Sequence, residues 1–217
     1  MTIRTAKQAG LTVTIDTTGM TFVAVWTCTV GARTVTNAQG NTVVALTSRS
    51  TNTGMVGQWR YVVNPTQTSS YQLSQDQAFS TIFAMATDEI DVSGSPFDIE
   101  GGGNNNSVVT AFAPGSITPS FADVFVLSGI AHSADSNTPT SGYAVDSSFT
   151  LADSQAAVAG SRIGGAWAYK KLTAIAAQNP SFSWTNGNPT AGAHAIFKAV
   201  TGGGGGGGNP HYYYAQQ

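Results

Sequence analysis

Charged residues make up only 9% of this 217-residue sequence, against about a quarter in ordinary soluble domains. Nine Lys and Arg against eleven Asp and Glu leave a net charge of -2. That balance argues against a nucleic-acid partner, because tracking phosphates requires clustered basic side chains. Cys28 is the only cysteine, so no intrachain disulfide can form. Its place in the run Phe22 to Val30 predicts a buried small hydrophobe rather than a reactive thiol. No run reaches the roughly 18 apolar residues of a membrane-spanning helix, and the first fifteen residues lack a secretory apolar core. No membrane partner is expected, and synthesis in a host cytoplasm is.

The few charges are unevenly placed. No Lys or Arg occurs between Arg60 and Arg162, whereas every acidic residue except Asp16 falls there. Such a stretch attracts cations or a basic surface, or else its carboxylates serve turns, where Asp bonds its own backbone.

Polarity comes instead from Thr, Ser, Asn, Gln and Gly. Short Val-, Thr- and aromatic-rich runs alternate with Gly, Asn, Asp and Pro, the pattern of an all-β protein. Leu11, Val13 and Ile15 share one face of a strand. Phe22 to Val30 is nearly continuously apolar, which predicts a strand buried on both sides. Arg33 to Ser48 reads as two strands around a turn with Gly40 in the left-handed conformation. Met55 to Asn64 is another strand, ended by Pro65. The stretch from Asp91 to Ser107, with its Gly101 to Asn106 centre, is predicted to be a long loop. Ser147 to Gln155 is counted among the strands, with a helical turn around Leu151 to Ala159 as the alternative that its Ala and Gln content allows. The expected architecture is a two-sheet antiparallel sandwich, jelly-roll-like, of about twelve strands. No internal repeat of fixed period is visible, so residues 1–201 are read as a single β-sandwich domain and 202–217 as a flexible Gly-rich tail.

Several segments carry a resemblance: the apolar strand FVAVWTCTV, the turn in VTNAQGNTVVAL, the aromatic strand QWRYVVNP, the SPFD loop and the closing HAIFKAV. Their order over residues 10–200 resembles β-sandwich domains of bacteriophage virion structural proteins and related bacterial surface proteins. The resemblance implies virion or surface structure and carries over no site residues.

Candidate chemistry is sparse. No Gly-x-Ser-x-Gly elbow is present; Gly160-Ser161-Arg162-Ile163-Gly164 does not fit it. His132, His194 and His211 are far apart in sequence. His194 is predicted to be a structural strand residue and His132 to face solvent, with no second ligand at metal spacing. Asp88, Asp91, Asp98 and Glu100 are calcium candidates, since that ion takes oxygen ligands from loops; no other cofactor is expected. For a glycan-binding alternative, Trp184, Trp59 and Tyr143 are candidate stacking residues, whereas Trp26 and Trp167 are assigned to the core.

Seven glycines, Gly202 to Gly208, precede Tyr212, Tyr213 and Tyr214. Polyglycine has no side chain to bury and loses the most entropy when ordered. Extended at about 3.6 Å per residue it spans roughly 25 Å, so the three tyrosines are read as a short-range partner-docking tip. The expectation is a non-enzymatic structural component on the exterior of a bacteriophage capsid or tail. It would be a homo-oligomer among other virion proteins, with a glycan-binding adhesin of a host surface as the alternative.

Overall fold

The computed structural model describes residues 2–77, 80–133, 140–146, 148–157 and 163–201. They form fifteen strands, all paired antiparallel. The first nine are β1 (Ile3–Ala9), β2 (Thr12–Ile15), β3 (Phe22–Val30), β4 (Val35–Asn37), β5 (Val44–Ala45), β6 (Arg49–Ser50), β7 (Met55–Val63), β8 (Tyr71–Gln75) and β9 (Ser80–Thr87). The remaining six are β10 (Phe97–Phe112), β11 (Val124–Ser133), β12 (Ser141–Val145), β13 (Thr150–Gln155), β14 (Ile163–Leu172) and β15 (Phe182–Lys198).

The two large sheets have strand orders β1-β9-β3-β7-β5 and β10-β15-β11-β14-β13, and a small sheet has the order β2-β8-β4. The large sheets enclose the main core: Phe22, Trp26, Trp59 and Phe83 from one side, Phe125, Leu127, Trp167 and Phe197 from the other. The small sheet covers the outer face of the first, burying Val13, Tyr71 and Leu73 against Val23, Val25 and Ile82. β3 is therefore buried from Phe22 to Thr29, because both of its faces meet another sheet. The all-β sandwich expectation holds.

The two halves of the chain repeat one topology. The strand orders of the large sheets match element for element, with β3 corresponding to β11, β7 to β14 and β5 to β13. β1 and β2 correspond to the two ends of β10, and β9 and β8 to the two ends of β15. Where β2-β8-β4 caps the first half, the end of β10, the start of β15 and β12 pair in the same order, Phe112 opposite Phe182 and Ser183 opposite Ala144. Matching Trp59 to Trp167 aligns the central strands of the two sheets. Trp26 lies opposite Trp59 and Phe83, and Gly129 lies opposite Trp167 and Ala193. Gly57-Gln58-Trp59-Arg60-Tyr61 thus corresponds to Gly165-Ala166-Trp167-Ala168-Tyr169. This Gly-x-W-x-Y recurrence is the sequence trace of a repeat that no fixed period had suggested, because turn lengths differ between the halves. The halves also meet reciprocally at their edges: Lys7 of β1 pairs with Asp153 of β13 at 2.7 Å, and Asn104 of β10 donates to the Ser50 carbonyl of β6.

Three local expectations are corrected. Gly101 to Asn106 is no loop; it runs within β10, with Gly101 opposite His194 and Asn105 opposite Thr190. At Gly102 a Cβ would stand 2.8 Å from the Ala193 Cα, so glycine permits this close backbone approach. Residues 150–155 are strand β13, within the strand read at 147–155, and not the alternative helical turn, since the β14 edge supplies hydrogen bonds that outweigh Ala and Gln propensity. The strands around Gly40 exist, with Gly40 at φ +75°, but they part: β4 joins β8 while β5 joins β7.

Candidate functional site

Tertiary packing draws most of the chemically versatile side chains inward. Cys28 is fully buried, and burial pushes its thiol well above the usual range, which makes it an inert packing group. Trp59 is 2% and Trp184 4% exposed, so neither offers a face to a sugar. Trp59 points into the main core between the large sheets, and Trp184 packs in the cluster on the outer face of the second sheet. Tyr143 is half-buried in β12, not in a loop, and its hydroxyl is engaged internally.

His132 corrects the expectation of a solvent-facing residue: it is fully buried at the end of β11. Its ring stacks on Trp184 at 5.0 Å and on Tyr143 at 5.5 Å. The Tyr143 hydroxyl donates to the Gln155 carbonyl at 3.1 Å. Its oxygen then accepts from Thr140 Oγ1 at 2.7 Å and from His132 Nε2–H at 2.6 Å. Neutral His132 thus carries its proton on Nε2, leaving Nδ1 buried without a partner. Removing the hydroxyl, as in Tyr143→Phe, should cost about 1–3 kcal/mol in chemical denaturation, since it strands a buried donor.

His194, also fully buried, donates from Nε2 to the Gly115 carbonyl at 2.8 Å, again leaving Nδ1 unpartnered. It lies opposite Ser128 of β11, whose hydroxyl is equally unpartnered. Desolvation lowers His132 to about 3 and His194 to about 4, so both are neutral at physiological pH.

The four calcium candidates are not brought together. Asp88 accepts from the Thr2 amide, Asp91 from Ser93, Asp98 from Ser120 and Glu100 from Thr47. Among the described residues no three His, Cys, Asp or Glu side chains form a group able to hold a metal. These carboxylates bond to backbone amides in four separate places. Tyr212, Tyr213, Tyr214 and His211 lie outside the described residues, as do Gly202 to Gly208.

The cleft that sequence reading missed lies on the outer face of the first sheet. It measures about 310 Å³ and is lined by Arg33, Val35, Val43, Ala45, Gln58 and Arg60 among others. β7 alternates, so Trp59 points into the main core while Gln58 and Arg60 face the cleft layer. Arg60 is 3% exposed. Its guanidinium donates to Thr27 Oγ1 at 2.5 Å, to the Arg33 carbonyl and to Gln58 Oε1. Burial lowers it to about 10, with Asp76 opposing that shift from beyond ion-pair distance. Arg33 Nε donates to the Val30 carbonyl and to Gln77 Oε1, both at 3.1 Å. The signal that was available is a charged residue inside an otherwise apolar strand run, Trp59-Arg60-Tyr61-Val62.

Set against family models, curated proteins and solved structures, the chain matches none of them.

Proposed function

We propose that this chain is a non-enzymatic structural subunit on the exterior of a bacteriophage particle, assembled as a homo-oligomer with other virion proteins. The observation that carries the structural part is how its two halves are joined. Two copies of one strand topology face each other across a single aromatic core, and each half's edge strand is pinned to the other half. Trp26 Nε1 donates to the Ile130 carbonyl at 3.1 Å and Trp59 Nε1 to the Ala193 carbonyl at 3.0 Å, so each hydrogen bond crosses from one half to the other. Cys28, His132, His194 and all four tryptophans are spent on packing. Such a body resists deformation because its interior is dense and fully interlocked. A surface with few charges tolerates close subunit contact, since few ions must be desolvated. The virion setting rests on the resemblance in segment order.

The test is location. Intact particles carrying this chain should retain it at fixed stoichiometry through density-gradient purification and lose it to surface proteolysis before the capsid opens. A chain recovered only as a lone monomer, never with particles, would sink the proposal.

A further inference from the structure

We propose that the Arg33–Arg60 cleft is a binding site for a carboxylate carried on a short apolar stem. Arg60 is buried to an extent unusual for an arginine. A guanidinium withdrawn from water costs several kcal/mol unless a counter-charge compensates. Here all three acceptors are neutral oxygens, and no carboxylate lies within ion-pair distance of it among the described residues.

The second half of the chain shows that the fold does not require this arrangement. Register places Arg60 in correspondence with Ala168, Gln58 with Ala166 and Thr27 with Ile130. Those three are fully buried and belong to one apolar cluster, closed over by Phe149 and Trp184. At these three positions the same strands are therefore stable with wholly apolar side chains. In the first half a polar trio and an open cleft stand in its place, so burial of Arg60 serves something other than the sheet.

The lining specifies the ligand class. Arg60 at the base and Arg33 at the rim supply two positive charges, and no acidic residue lines the cleft. Guanidinium groups suit the planar oxygens of a carboxylate. Val35, Val43 and Ala45 add apolar walls that favour a few methylenes beyond the carboxylate over a bare inorganic anion. The volume lies near the lower bound for small-molecule sites, about 300 Å³. A free aliphatic acid and an acidic side chain or C-terminus of a partner share this chemistry.

The experiment titrates the full chain, at constant ionic strength, with propionate, butyrate and glutarate. Parallel titrations use phosphate, a short apolar peptide with a free C-terminus, and the same peptide amidated. Binding is read by amide chemical shifts and calorimetry. Saturable binding of at least one carboxylate, weakened about tenfold or more in Arg60→Met, is expected; tenfold corresponds to removal of one charge-assisted contact. Preference for the free peptide over its amide identifies a partner chain as the source, and preference for the small acids identifies a metabolite. The double variant Gln58→Ala/Arg60→Ala installs the residues of the second half. It should keep or raise the melting temperature while abolishing binding. Three results would overturn the proposal: no saturable carboxylate binding, binding unchanged in Arg60→Met, or phosphate bound as well as the acids. A double variant that loses stability as Arg60→Met does, with wild-type binding absent, assigns Arg60 a purely structural role.

Discussion

Trp26→Ala is expected to lower the stability of the fold by about 3–5 kcal/mol, the usual cost of deleting a buried large aromatic side chain. The indole also donates a cross-half hydrogen bond to the Ile130 carbonyl, and its loss leaves that buried acceptor only the weaker Cys28 thiol at 3.7 Å. The residues around it are chosen for its size. A Cβ at Gly57 would lie 2.5 Å from Trp26 Cη2, and one at Gly129 would lie 2.5 Å from its Cε2. Gly57→Ala and Gly129→Ala should each cost about 1–3 kcal/mol by overpacking. Gly129 is the residue of the second half that corresponds to Trp26. One half therefore supplies a knob where the other supplies a hole, and two identical halves would place two indoles or an empty gap there. The check is a double-mutant cycle by urea denaturation: in a Trp26→Ala background, Gly129→Ala should become nearly neutral. Additive effects would show that the glycine is required for some other reason.

Acid should destabilise the protein earlier than its carboxylates alone require. His132 and His194 are held neutral in the fold, near 3 and 4, while an unfolded histidine titrates near about 6.5. Their folded values are depressed, so stability is complete above about pH 6.5. It falls as pH drops toward the folded values, because only the unfolded chain takes up these protons. Each histidine contributes a slope on the order of 1 kcal/mol per pH unit between roughly pH 6 and 4. Over two units that is a sizeable part of the 5–15 kcal/mol by which domains are commonly stable, to order of magnitude. Asp91 and Asp146, held below the usual carboxylate range by hydrogen bonds from Ser93 and from Ser148 and Ser181, lose their contribution only at lower pH. Denaturation midpoints measured from pH 7 to 4 should show the steep fall. In His132→Thr/His194→Ala, which installs the first-half residues Thr29 and Ala84 by register, most of the slope should vanish whatever the absolute stability. An unchanged slope would assign the acid sensitivity elsewhere.

The sheet-forming runs were legible because alternation and apolar continuity report directly on burial. Phe22 to Val30 announced a strand covered on both faces, and Asn64-Pro65 announced the end of β7. The site was much less legible. Trp184 and His132 flank turns, and in sequence such residues read as exposed; their burial depends on the start of β15 folding over the outer face of β11. Gly101 to Asn106 looked like a loop because strand propensity is low there, yet an edge strand needs only backbone hydrogen bonds from its neighbour β15. The four carboxylates looked clustered because they are close in sequence, but each is taken up by a different backbone amide, of Thr2, Ser93, Ser120 and Thr47.

By itself the sequence determined that this chain is all-β, charge-poor and without disulfides, since composition and period-two patterning act locally. Only the tertiary structure decided that the chain is one topology used twice. Equivalence between halves resides in register and strand order, which survive changes in turn length and in most side chains. Pairing across a hundred residues also decided which tryptophan meets which glycine, and why Arg60 is buried where its counterpart is alanine. Those relations are set by neighbours distant in sequence, and no local pattern encodes them.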